Sequence, residues 1–456
     1  MKINLITLGC SKNTVDSEHL AGALREAGHT VYFDRRQPDC DIAIVNTCGF
    51  INDAKEESIN ALLGQIAIKT RGRKARRVMA MGCLVERYKA ELSQEMPEVD
   101  GWFGTKEWAA IVDAVAAEEE RAAGADKNSR ESRSSRKSSK SRKSIGSASS
   151  GAARPLSTPA HYAYLKISEG CNRSCSYCAI PLIRGAHRSR PIEELVEEAQ
   201  QLVQGGVKEL IVIAQDTTYY GLDLYHRRAL GELLERLATE SGAQWIRLHY
   251  TYPTSFPADA IDAIARHENI CNYIDIPLQH INSRILSSMQ RGIDREGTLR
   301  LLASFRQKLP DVAIRTTLIV GYPGETEQEF EELKDFVRSA RFDRMGCFAY
   351  SPEEGTPAEG LGDPVPQEEK ERRVGELMAL QEQISLEKNQ ARIGRTYRCI
   401  VDRREGEMLV ARTEYDSPEV DDEVLIRQSR PSIRQGDFVW VRITDALEND
   451  LMGELV

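Results

Sequence analysis

Short, nearly unbroken apolar runs recur along most of this chain, each followed by a stretch with helical spacing. That rhythm restricts the fold more than any other feature. Six runs in the middle of the sequence, at 162–167, 209–214, 245–250, 273–277, 314–320 and 344–350, read as strands, with helical segments such as 192–204 and 327–339 between them. Strand–helix alternation predicts parallel β-structure with helices on its faces, and six βα repeats predict a whole or partial barrel. The first 120 residues carry the same rhythm, with runs at 3–8, 42–45 and 78–81 and helical stretches at 16–27 and 53–68. After a charged helix at 367–391 come short alternating runs at 397–401, 408–411, 423–426 and 438–443, punctuated by Gly, Pro and Asp. These predict a small β-barrel. The fold class is therefore α/β: an N-terminal parallel α/β domain, a partial (β/α) barrel and a small C-terminal β-barrel.

Composition supplies the boundaries. Residues 126–150 hold eleven Ser, eight Lys or Arg and two acidic residues, with no apolar periodicity. Such a segment cannot bury enough apolar surface to offset the entropy of ordering it, which predicts a disordered basic linker. A solvated tether and a basic arm that touches RNA are both compatible with it. The expected division is 1–120, linker 121–157, barrel 158–388 and small barrel 389–456. The 456 residues carry a formal net charge of −9, so a chain-wide basic footprint for nucleic acid is absent. No window approaches the ~18 apolar residues of a membrane span. The start lacks a small-residue cleavage site, and a cytoplasmic protein is expected.

Ten cysteines are too few for a disulfide scaffold, and in a reducing compartment clustered thiols point to metal or catalysis. Three fall within eight residues, as Cys171-Asn-Arg-Ser-Cys175-Ser-Tyr-Cys178, directly after the first barrel strand. Three thiolates without a nearby fourth ligand fit an iron–sulfur cluster with one iron open to a small molecule. A three-Cys zinc site completed by a distant His is the competing arrangement. A second trio is spread through the N-terminal domain. Cys10, Cys48 and Cys83 each stand just past the C-terminal end of a predicted strand, and in a parallel sheet those ends share one edge, where ligands bind. Gly9, Gly49 and Gly82 flank them. The bland alternative is three small buried hydrophobes. Cys40 precedes its strand, and Cys271, Cys347 and Cys399 stand alone as packing residues.

The C-x3-C-x-aromatic-C spacing after a first barrel strand resembles the radical S-adenosylmethionine superfamily. The resemblance implies a [4Fe–4S] cluster on Cys171, Cys175 and Cys178, whose open iron chelates S-adenosylmethionine. It further implies that Tyr177 covers the adenine, and that Gly205, Gly206 and Glu209 resemble the loop contacting the methionine amino group. Gly321, in Gly321-Tyr-Pro-Gly324-Glu325, is expected to approach the nucleoside, since glycine permits close backbone approach. Gln215 and Arg247, at strand ends, are expected to orient substrate. A tight helix-to-strand turn (for Gly205 to Glu209) and barrel-mouth packing (for Tyr177, Gln215 and Arg247) are the ordinary alternatives.

With a second cluster on Cys10, Cys48 and Cys83, the chain resembles the methylthiotransferases over nearly its whole length except the linker, including a C-terminal TRAM-type barrel. The stretches Leu8-Gly-Cys-Ser-Lys-Asn13, Thr158-Pro-Ala-His-Tyr-Ala-Tyr-Leu165, Ile276-Pro-Leu-Gln-His280 and Arg412-Thr-Glu-Tyr-Asp-Ser-Pro-Glu419 look like the RimO type, which acts on a ribosomal protein. This implies two [4Fe–4S] clusters, S-adenosylmethionine, a reduced electron donor, and methylthio insertion at the β-carbon of an aspartate in small-subunit ribosomal protein S-twelve. An unactivated C–H bond there is beyond acid–base chemistry, and the cofactor carries that step. Residues 391–456 are net −4, with an acidic run at Glu419-Val-Asp-Asp-Glu423. Such a surface is expected to suit a basic ribosomal protein better than phosphates. The alternatives are a tRNA methylthiotransferase of the MiaB type, favoured by the basic linker, and a non-catalytic iron–sulfur protein that docks on ribosomes.

Overall fold

The computed structural model describes residues 1–35, 39–71, 77–128, 154–427 and 432–456. Most of the Ser-rich basic segment expected as a linker lies outside the described residues. The chain forms two compact units. The first is Met1–Ser157 with Leu182–Arg184; the second is Thr158–Pro181 with Gly185–Val456.

The first unit is a five-stranded parallel sheet in the order Thr30–Phe33, Lys2–Thr7, Ile42–Thr47, Arg77–Gly82, Gly101–Phe103. The strands at 30–33 and 101–103 escape the sequence reading because they are short, polar or aromatic edge runs without clear alternation. The central strand is buried at every position, IAIVNT, because helices cover both faces. Ile42 and Ile44 pack with Leu20, Leu24, Ile111 and Val115 on one side. Val45 packs with Leu62, Ile66, Leu84 and Val85 on the other. Helices Ser11–Glu26, Asn52–Arg71 and Cys83–Glu95 begin just beyond strand ends, so the chain turns into each helix at the carboxyl edge of the sheet. The fourth helix, Trp108–Asn128, runs past the boundary expected at residue 120.

The second unit holds the six expected parallel strands: Tyr162–Lys166, Glu209–Ile213, Trp245–Leu248, Tyr273–Asp275, Ala313–Val320 and Arg344–Ala349. They form two three-stranded sheets, and a parallel bridge between Ile246 and Ile270 connects the third strand to the segment leading into the fourth. The result is a partial barrel. Along Ala313–Val320, residues 315, 317 and 319 are half-buried while their alternates are fully buried. One face of that strand thus meets its covering helices and the other faces a lumen that is not completely filled. Helix Gln367–Gln390 closes the repeat, followed by a closed barrel in the order Thr396–Glu405, Met408–Thr413, Glu423–Ile426, Asp450–Leu455, Phe438–Ala446. The fifth strand, Asp450–Leu455, is absent from the sequence reading. Its DLMGEL run is short and holds a glycine, and its register comes from parallel pairing with Glu423–Ile426.

Candidate functional site

Cys10 is the N-cap of helix Ser11–Glu26, Cys48 follows strand Ile42–Thr47, and Cys83 opens helix Cys83–Glu95. The structure brings these three together within the first unit, as the strand-end argument requires. Glycine makes the approach possible: a Cβ on Gly9, at φ +89°, would stand 2.8 Å from the Cys48 Sγ. Gly82, at φ +104°, would place one 2.4 Å from Asn46 Oδ1. The Ser58 hydroxyl accepts from the Cys48 N–H and donates to its carbonyl, both at 2.9 Å, which fixes the loop to helix Asn52–Arg71. Beneath the thiols, Asn13 donates to Leu8 O at 2.8 Å and to Thr47 O at 3.2 Å, tying two strand ends together. Asn46 donates to Asn13 O and to Ser17 Oγ, both at 2.9 Å. Burial pushes the Cys83 thiol up to about 12, with Arg184 acting against it and Cys10 and Cys48 adding to it. Burial also raises Cys48, again with a contribution from Cys10.

In the second unit the loop after Tyr162–Lys166 carries Cys171, Cys175 and Cys178. Gly170, at φ +80°, admits the turn, since a Cβ there would strike Ala186 O at 2.3 Å. The Cys171 N–H donates to Gly185 O at 3.0 Å, and the Cys171 Sγ accepts from the Arg173 N–H at 3.4 Å. Cys175 Sγ accepts from Arg291 Nη1 at 3.3 Å and lies 3.3 Å from the Tyr252 hydroxyl. Burial raises Cys171 to about 11 and Cys178 to about 12. Arg173 is held by Asp216 at 2.6 Å, and its guanidinium covers the Tyr252 ring at 3.9 Å. Arg291, Tyr252, Arg173 and Asp216 escape the sequence reading, being scattered over more than a hundred residues. The ends of successive barrel strands were the available signal for Asp216 and Tyr252.

Both trios suit anionic iron–sulfur clusters. The thiols of Cys48, Cys83, Cys171 and Cys178, raised by burial, need a cation to ionise, and each trio has an arginine donor on sulfur; the first also has two helix N-termini. Among the described residues, no group of three or more His, Cys, Asp or Glu side chains could hold a single metal ion. Thiolates on three different irons of one cluster stand farther apart than ligands of one zinc.

The other expected site residues divide. Gln215 lies past the end of Glu209–Ile213; its Nε2 donates to Glu169 Oε1 at 3.0 Å, and its buried Oε1 has no partner. Tyr177 packs beside Ile285, Met289 and Tyr322, and its hydroxyl accepts from Arg291 at 3.2 Å. Gly205, Gly206, Glu209 and Arg247 require correction. Gly205 caps helix Ile192–Gln204, and Gly206, at φ +110°, turns the chain into the strand. Glu209 is the first residue of its strand and so sits at the amino end, opposite the cysteine loop. It pairs with Arg247 at 2.7 Å and with Arg412 at 2.5 Å, all three fully buried where the C-terminal barrel meets the strand starts. Arg247 also donates to Glu414 O at 2.7 Å. Cofactors of such barrels bind at the carboxyl ends of strands, so these residues are structural. Gly321 also has another cause: a Cβ there would lie 2.3 Å from Lys370 Cγ.

The acidic run is likewise corrected. Asp421 receives Tyr273 at 2.7 Å and Arg315 at 3.2 Å, Asp422 pairs with Arg344 at 3.0 Å, and Glu419 accepts from Tyr162 at 2.9 Å. Asp421 and Asp422 are turned inward onto the barrel strands and Glu423 is taken by Arg403 of the same small barrel, while Glu419 is an exposed residue, so the run does not present a continuous acidic surface.

Three family models match: Uncharacterized protein family UPF0004 over residues 2–104, the Radical SAM superfamily over 165–337 and the TRAM domain over 393–456. The structure is similar to that of the radical S-adenosylmethionine methyltransferase TsrM from Kitasatospora setae, solved with cobalamin and a [4Fe–4S] cluster. The TM-score is 0.54 at 14% identity, covering 90% of this chain and 77% of that one, which shows a shared fold. A ribosomal protein uS12 methylthiotransferase RimO from Flavobacterium psychrophilum is 52% identical over 99% of this chain and 98% of its own. Its namesake in Bacteroides thetaiotaomicron is 48% identical over 100% of this chain and 98% of its own. With identity of this order over 99–100% of its length, the chain belongs to the RimO family of ribosomal protein uS12 methylthiotransferases.

Proposed function

We propose that this chain inserts a methylthio group at the β-carbon of an aspartate in ribosomal protein uS12. In this reading Cys171, Cys175 and Cys178 hold one [4Fe–4S] cluster with S-adenosylmethionine, and Cys10, Cys48 and Cys83 hold a second. The observation that carries it is the gathering of three thiols at strand ends in each unit, each trio with cationic donors on sulfur. The bound groups supply reductive cleavage of the sulfonium and the sulfur to be transferred. The chain supplies ligands and surroundings. Arg291 and Arg173 bring positive charge to the cysteine loop, while Tyr252 and Tyr177 shield it from water. Gln215, with an unpaired carbonyl oxygen, orients substrate or cofactor at the barrel mouth. A reduced one-electron donor and a cytoplasmic setting belong to this reading; among the described residues no helix is long and apolar enough to cross a membrane. We divide the chain near 120, 157 and 388, with helix Trp108–Asn128 carrying the first part on to residue 128.

Relatives named for uS12 support the ribosomal protein over tRNA as substrate. Deleting the gene removes the methylthio mass from uS12 and leaves tRNA unchanged; the reverse result defeats the reading. Anaerobically reconstituted protein with dithionite releases 5′-deoxyadenosine. Cys171→Ala, Cys175→Ala and Cys178→Ala abolish that release. Cys10→Ala, Cys48→Ala and Cys83→Ala preserve it but yield no thiolated uS12, and full thiolation by these variants would defeat the second-cluster assignment.

A further inference from the structure

Arg184 belongs to the segment Leu182–Arg184, which clusters with the first unit. It is 2% exposed. Its Nε donates to Cys83 Sγ at 3.3 Å, its Nη1 lies 2.6 Å from Asp16 Oδ2, and its Nη2 donates to Asn13 Oδ1. Asn13 in turn holds the strand ends beside Cys10 and Cys48 through Leu8 O and Thr47 O. Taking a guanidinium out of water costs several kcal/mol, and one buried carboxylate compensates that cost only with good geometry. Here the guanidinium satisfies Asp16 and still presents a third N–H to sulfur. Its charge opposes the effect of burial on both Cys48 and Cys83.

Iron–sulfur potentials are set by net charge, hydrogen bonds to the sulfurs and solvent exposure. Reduction adds one electron to an already anionic cluster. A buried cation with an N–H···S bond therefore stabilises the reduced form, and a neighbouring carboxylate opposes it. We propose that Arg184 is a positioning residue that sets the reduction potential of the cluster on Cys10, Cys48 and Cys83, with Asp16 as its counterweight. The inference rests on the reading that these cysteines hold a cluster. The electron enters the cluster's iron, and in the test below dithionite supplies it without a bond being made or broken.

The test is an EPR-monitored potentiometric titration of the full chain with Cys171, Cys175 and Cys178 all replaced by Ala, so that the signal comes from the N-terminal cluster. In that background Arg184→Met moves the midpoint to lower potential by about tenfold in the one-electron equilibrium, ~59 mV. Asp16→Asn, nearly isosteric, moves it to higher potential. Opposite shifts at unchanged iron content support the proposal, because a merely structural role does not produce them. Midpoints that stay put, or move in the same direction, overturn it. Should Arg184→Met retain no cluster, Asp16→Asn decides alone, and an unmoved or lowered midpoint there overturns the proposal. An absent cluster signal with Arg184 and Asp16 intact would instead defeat the cluster assignment itself.

Discussion

At the scale of single residues, position within a strand separates chemistry from support. Cys10, Cys48 and Cys83 were legible because a parallel sheet gathers the ends of its strands, and a sequence reveals which residue follows each strand. Glu209 and Arg247 were misread although the same rule applied to them. Glu209 opens its strand, which places it at the amino end, and its partner Arg412 stands about two hundred residues away, in another barrel. The glycines beside the thiols were legible as markers of close approach, but what approaches was not. Gly82 shows how strict that approach is: its φ of +104° suits no side chain, and a Cβ would meet Thr47 O at 2.5 Å as well as Asn46. Gly82→Ala is expected to cost about 3 kcal/mol, read as a lowered urea midpoint. It should also lower the iron bound at the N-terminal trio while the Cys171 loop keeps its own.

At the scale of elements, most strands were read from short apolar runs that the fold buries on both faces, so the runs were nearly unbroken. Short edge strands and the last strand of the small barrel were not, because their pairing partners, not their own sequence, hold them. Helix Glu327–Ala340 shows a local signal that suffices: Thr326 and Glu329 form a complete capping box, each side chain accepting from the other's backbone N–H. Thr326→Ala is expected to cost about 1 kcal/mol in thermal or urea unfolding and to leave iron content unchanged. Helix Asn52–Arg71 depends instead on a tertiary bond. Ser58→Ala leaves the buried N–H and C=O of Cys48 without their partner, at a cost of about 2 kcal/mol. It should also reduce iron at the N-terminal trio, measured against the Cys171 loop in the same sample.

At the scale of the whole molecule, the second unit is stitched by charge where its small barrel meets the strand starts. Burial alone would raise the Glu209 carboxyl, but Arg412 and Arg247 outweigh it and hold the group at about 2. A depressed carboxyl stabilises the fold above its unfolded value near 4.5, and this stability is lost as pH falls through that value toward 2. The contribution amounts to about 3 kcal/mol. Denaturant unfolding between pH 6 and pH 2.5 should therefore show an acid loss that Glu209→Gln lacks. At pH 6 that variant should be less stable by roughly 3–5 kcal/mol, because buried Arg247 then faces no carboxylate and buried Arg412 keeps only Asp402. The net charge of −4 counted over the C-terminal residues hid this stitching, since a sum does not record which carboxylates are turned inward.

By itself the sequence determined the main strand–helix alternation, though not the edge strands at 30–33 and 101–103 or the last strand at 450–455, together with the parallel sheets and the six cysteines beyond strand ends, because local periodicity and chain order fix which residues leave a sheet at one edge. The tertiary structure alone decided which charges are neutralised: Glu209 and Arg247 in the seam, Asp421 and Asp422 against the barrel, Arg184 on a cysteine sulfur. A buried ion pair is specified by two residues distant in sequence that meet only after packing, and no local pattern records the partner.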